Sequence, residues 1–173
     1  GACHSPRNLA GAEEKSRALE GGEAEGWHAY ALGNASQAPL PWTEAALTQY
    51  LAEGYHPQHG VARGPMAPVV ENLSAVPRED VAAMARYLAS LGAGPGSPGT
   101  ITDATQAAPE RAPQSTGAQA ATPNPSSDDV GAHIYATACA SCHEGGRPVP
   151  FGGIHLSLST EIAGESPENL VNV

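Results

Sequence analysis

The sequence predicts an all-α protein with long loops, held together by something other than its own apolar side chains. Two observations carry the fold class: several stretches show capped helical periodicity, and none alternates long enough for a sizeable strand. A third concerns the core. Among 173 residues there are 1 Phe, 2 Trp and 2 Met, against 20 Gly and 16 Pro. Cores this poor in large side chains are usually completed by a metal, disulfides or a cofactor.

The helices follow in order. Thr43 to Glu53 has Thr43 as N-cap, Leu47, Tyr50 and Leu51 on one face, and Gly54 just beyond its end. The run Arg63-Gly64-Pro65-Met66-Ala67-Pro68 reads as a loop stiffened by its two prolines. Pro77 to Leu91 starts with Pro and acids, lines up Val81, Met84, Ala85, Leu88 and Leu91, and stops before Gly92. Met84, on that stripe, is expected in the core. Asp128 to Ala138 reads as a further helix, with Val130, Ile134 and Ala138 on a face, leading into Cys139. Ser166 and Pro167 open a last helix as N-cap and first residue.

Composition divides the chain into residues 1–91, a Pro/Ala/Gly-rich stretch 92–127, and residues 128–173. The middle stretch has almost no large apolar side chain and is expected to be a disordered, flexible linker. The chain opens on Gly without a targeting segment and closes one turn into a helix, so an internal fragment of a longer protein is expected. The net charge of -10, with eight Lys and Arg in all, argues against a nucleic-acid partner. No apolar run approaches the roughly eighteen residues that span a bilayer.

Cys139-Ala140-Ser141-Cys142-His143 carries the chemistry. C-x-x-C-H is the attachment pattern of haem c. Two thiols one helical turn apart add across the two vinyl groups of a haem, and the adjacent imidazole faces the iron. Other readings stay open on the motif alone. The pair could be half of a zinc site completed by His143 and His155, a redox dithiol, or a disulfide. The opening Gly1-Ala2-Cys3-His4 reads as a second such motif entered part-way, which also accounts for an odd total of 3 Cys. A haem on His4 needs a distal ligand, and Met66, presented from its proline-stiffened loop, is the candidate. No Met follows His143; His155 is possible there, and that position stays open.

These residues resemble a known family. Cys3-His4-Ser5-Pro6-Arg7-Asn8, Gly21-Gly22-Glu23, Gly26-Trp27, Pro41-Trp42-Thr43, Tyr50-Leu51, Gly54 and His59-Gly60-Val61-Ala62-Arg63-Gly64-Pro65-Met66-Ala67 look like one domain of the multihaem cytochrome c subunits of membrane-associated bacterial dehydrogenases. Pro-Trp-Thr and the His-Gly to Pro-Met segment look closer to the molybdenum branch, which oxidises nicotinate, isoquinoline and aldehydes, than to the alcohol and gluconate branch. Ile134-Tyr135 and Cys139 to His143 look like the start of a following domain.

The resemblance implies class I cytochrome c-like domains in tandem, both incomplete here. Residues 1–91 would lack the first attachment Cys and the helix before it; residues 128–173 would lack a distal ligand and closing helix. It implies two haem c groups. Cys3, Cys139 and Cys142 would be thioether sites, His4 and His143 proximal iron ligands, and Met66 the distal ligand of the first iron. Pro148 or Pro150 is expected to offer His143 a carbonyl, and Trp27 and Trp42 either bond propionates or simply pack.

The function implied is electron transfer, in a subunit of an oxidoreductase complex that is not its catalytic subunit. The donor would be a dehydrogenase subunit of the molybdenum hydroxylase or PQQ alcohol dehydrogenase type, and the acceptor a quinone, terminal oxidase or another cytochrome. The place implied is the periplasm or the periplasmic face of the inner membrane, with membrane association through a partner or a missing segment. A diheme peroxidase and a haem-free zinc- or disulfide-stapled binding module are the alternatives.

Overall fold

The computed structural model describes residues 2–92, 130–143, 156–164 and 167–172. The expected linker at 92–127 lies almost entirely outside these residues, as do Pro148, Pro150, His155 and Ser166. Contacts divide the chain into one unit of Gly1–Pro98 with Pro148–Val173 and another of Gly99–Arg147. That division runs through the stretch 128–173, which composition groups together.

The larger unit is built on three helices. Helix α1 (Glu44–Glu53) begins where Thr43 Oγ1 accepts from Ala46 N at 3.1 Å and ends at Gly54, which takes φ 73° and donates to Tyr50 O at 2.8 Å. Its inner face buries Ala46, Leu47 and Leu51, and Tyr50 lies half-buried beside them. Helix α2 (Met66–Ser74) follows, and the segment read as a proline-stiffened loop contains its start: Met66 is its first residue and Pro68 lies in its first turn. A proline there removes no helical bond, because first-turn N–H groups have no intrahelical acceptor. Val70 is its buried residue, packed on Gly54.

Helix α3 (Arg78–Gly92) packs on α1, and Val81 and Ala85 are wholly enclosed at 0% exposure. Arg86 bonds Glu44 at 2.9 and 3.2 Å, and Arg78 bonds Glu53 at 3.2 Å. These two pairs, one at each end, show that the helices run antiparallel. Both pairs are solvent-exposed, so they steer orientation more than they stabilise. Met84 does not join the core. It is 39% exposed, one position off the Val81–Ala85 line that meets α1. The helical stripe of α3 is wider than the partner that covers it, and the partner decides which residues are enclosed.

The all-α expectation is too strict. The described residues are mostly helical, with small sheets. Strands β1 (Gly22–Ala24) and β2 (Trp27–Ala29) pair antiparallel with Glu23 opposite His28. The two turn residues Glu25 and Gly26 have φ 54° and 79°, the positive pair that a tight hairpin needs to match strand twist. Strands β3 (Tyr55–His56) and β4 (Gly60–Val61) form a smaller hairpin after α1. Strands this short give no alternation to read.

In the other unit, α4 (Val130–Ile134), a π-helical turn (Tyr135–Cys139) and α5 (Ala140–His143) make one continuous helical run. The expected helix from 128 thus passes through Cys139 to His143. The final segment belongs to the larger unit. Helices α6 (Thr160–Ala163) and α7 (Glu168–Val171) are one turn each, and α7 lies against β2.

Candidate functional site

His4 is held at both its backbone and its ring. Its carbonyl accepts from Gly21 N at 3.0 Å. Ser5, 3% exposed, accepts from Leu19 N at 3.0 Å through Oγ. Leu19 sits at φ 66°, unfavourable for a branched side chain, and is kept there by this bond and by its carbonyl, which accepts from Leu32 N at 2.9 Å. Gly22 passes so close that a Cβ on it would lie 2.8 Å from Ser5 O. The β1–β2 hairpin therefore lies against the Cys3-His4 loop, and only glycine allows the approach.

The ring completes the arrangement. His4 Nδ1 lies 2.7 Å from the carbonyl of Tyr30, just past β2, so the ring N–H donates there. Nε2 is left as the atom with a lone pair to offer. Metal-ligating histidines are typically oriented in this way by a carbonyl. This is the fit of the donor set to haem: an imidazole with one nitrogen anchored and the other available, directly after a cysteine that is solvent-exposed.

The same hairpin reaches the Met66 segment. Gly64, at φ 50°, is packed against the Trp27 indole so closely that a Cβ would collide with the ring. Arg63 O accepts from Met66 N at 3.1 Å and Gly64 O from Ala67 N at 3.0 Å, which starts α2. Met66 is half-buried. One hairpin thus contacts the loop of the expected proximal ligand through Gly22 and Tyr30, and the loop of the expected distal ligand through Trp27.

Trp42 packs against two rings. Its ring stacks on His59 at 3.7 Å between centroids and meets Tyr50 edge-on at 5.1 Å. His59 is 3% exposed, and its Nδ1 is buried without a partner. Burial, with His56 nearby, lowers its pKa to about 4, so it is neutral at pH 7. Burial also lowers His56 and raises Tyr50.

In the other unit, Cys139 closes the π-helical turn and Cys142 lies three residues on in α5, followed by His143. Helical spacing of three puts both sulfurs on one face. Cys139 and His143 are half-buried and Cys142 is exposed. Among the described residues no three His, Cys, Asp or Glu side chains converge as a metal-binding group, so they hold nothing like a closed zinc site.

Sequence reading missed the carbonyl of Tyr30, the Trp27–Gly64 contact and the Glu25-Gly26 turn. A backbone acceptor leaves no residue-type signal. The turn uses Glu where Asn or Asp would have announced it.

No family model matches the chain. A nicotinate dehydrogenase subunit of Pseudomonas putida is 37% identical over 180 aligned positions, covering 99% of this chain and 13% of that protein. The fructose dehydrogenase cytochrome subunit of Gluconobacter japonicus is 31% identical, covering 99% of this chain and 36% of that protein. The gluconate 2-dehydrogenase cytochrome c subunit of Pantoea cypripedii is 32% identical, covering 83% and 32%. The chain therefore spans between about an eighth and about a third of the length of these curated relatives.

Proposed function

We infer that this chain, which is homologous to the cytochrome c subunits of bacterial dehydrogenases, carries electrons between a dehydrogenase and the respiratory chain through covalently bound haem c. The observation that carries the reading is the bond from the His4 ring to the Tyr30 carbonyl, which leaves Nε2 to bind iron. Haem, when bound, supplies the ferric–ferrous couple.

The chain's residues supply the rest. Cys139 and Cys142 tether one group and Cys3 contributes to tethering another. His143 and His4 would bind the irons through their imidazoles. Met66 would bind iron at the His4 site through its thioether, which raises the potential relative to a second imidazole. The hairpin holds the loops of His4 and Met66 in place.

The donor belongs to the molybdenum hydroxylase or PQQ alcohol dehydrogenase type, and the acceptor is a quinone or a terminal oxidase. The reading puts the protein in the periplasm or on the periplasmic face of the inner membrane, with membrane attachment through a partner or another segment of the parent. Among the described residues no helix is long and apolar enough to cross a membrane. The relatives' names favour a cytochrome over a peroxidase or a haem-free module.

The test is expression of the full-length parent with a haem c maturation system. Wild type should give a c-type pyridine haemochrome spectrum, and Cys139→Ser with Cys142→Ser should remove one covalent haem by mass. A colourless, correctly exported parent sinks the reading.

A further inference from the structure

The final segment of the larger unit reaches the strand that leads to the His4 acceptor. Asn169, 5% exposed, accepts from His28 N at 2.9 Å through Oδ1 and donates to His28 O at 2.8 Å through Nδ2. One side-chain amide thus satisfies both backbone groups of His28 on the edge of β2 that β1 leaves open, as a third strand would. Asn172 Nδ2 donates to Gly26 O at 3.0 Å in the turn of the hairpin. Gly164 comes against the Tyr30 ring, where a Cβ would lie 2.8 Å from Cε1. Two residues after His28, the Tyr30 carbonyl receives the His4 ring.

The geometry points to Asn169 as a positioning residue for His4: by pinning His28 it fixes the Tyr30 carbonyl, and with it the angle and donor strength of the His4 imidazole. The proposal rests on the haem reading of His4. A firm N–H to carbonyl bond makes the imidazole a stronger donor, which favours ferric iron. Without the clamp, His28 N–H and C=O turn to water, the strand end loosens, and the ring bond weakens. Asn169 bonds His28, and the His4 ring bonds the Tyr30 carbonyl, so Asn169 acts on the ring at one remove, through the strand.

The experiment uses the haem-loaded full-length parent and two readouts: the reduction potential of the His4 haem, and solvent exchange of the His4 ring proton by NMR in the ferrous state. Asn169→Ala should raise the potential and speed ring-proton exchange roughly tenfold, because the protecting bond opens more often. Asn169→Asp keeps the acceptor for His28 N–H and should fall between wild type and Asn169→Ala. Gly164→Val, which pushes the segment off Tyr30, should shift both readouts in the same direction without touching Asn169, and serves where Asn169→Ala does not fold. A haem-loaded Asn169→Ala that melts earlier yet keeps the wild-type potential and exchange rate makes Asn169 a structural clamp only and overturns the proposal. Wild type with no haem on His4 overturns it together with the reading beneath it.

Discussion

His59 is enclosed by the Trp42 ring and carries a buried ring nitrogen with no partner. Its pKa falls to about 4 in the folded protein against an ordinary value of 6.5. The folded state therefore binds fewer protons than the unfolded state between these values. Stability from this group is complete above about pH 6.5 and is lost as pH falls toward 4, on the order of 3 kcal/mol in all. The melting temperature should drop across that window, and His59→Phe should flatten the drop; an equally steep profile in the variant assigns it to other groups. Met66→Ala tests a different residue. It should abolish the Met-to-iron charge-transfer band and lower the potential of the His4 haem, as an unchanged spectrum would deny. Gly64→Ala should disturb the same signals from a distance, since its Cβ meets the Trp27 indole and its φ of 50° disfavours a side chain.

At the scale of elements, the antiparallel α1–α3 pair organises the larger unit. Thr43→Ala removes the cap on Ala46 N and should cost about 1 kcal/mol, read as a shift in the denaturant midpoint at unchanged slope. Val81→Ala opens space where α3 meets α1 and should cost roughly 1–3 kcal/mol, whereas Met84→Ala, on a 39%-exposed side chain, should cost well under about 1 kcal/mol. Equal losses from the two would contradict the packing. Both helices were legible because cap, stripe and stop agree within each. Helix α2 was not, because Pro65 and Pro68 read as loop signals although both positions tolerate proline. The hairpins were missed because strands of two or three residues are too short to alternate, and because the first turn begins with Glu25, which takes a positive φ without being a usual turn former.

Over the whole molecule, the C-x-x-C-H motif of Cys139 to His143 was visible in the chain itself, since it is defined by residue types one helical turn apart. The order of candidate ligands, His4 then Met66, was visible for the same reason. What holds them was not. The Tyr30 carbonyl comes from 26 residues beyond His4, and Asn169 grips His28 across 141 residues. Local sequence thus determined where α1 and α3 begin and end and which side chains are candidates to bond iron, because caps, periodicity and thiol spacing act within a few residues. Tertiary structure alone decided which face of α3 is covered, that one hairpin contacts the loops of both candidate ligands, and that the final segment joins the larger unit. Those outcomes depend on backbone carbonyls, glycine close approaches and unpaired strand edges, which exist only once distant parts of the chain have met.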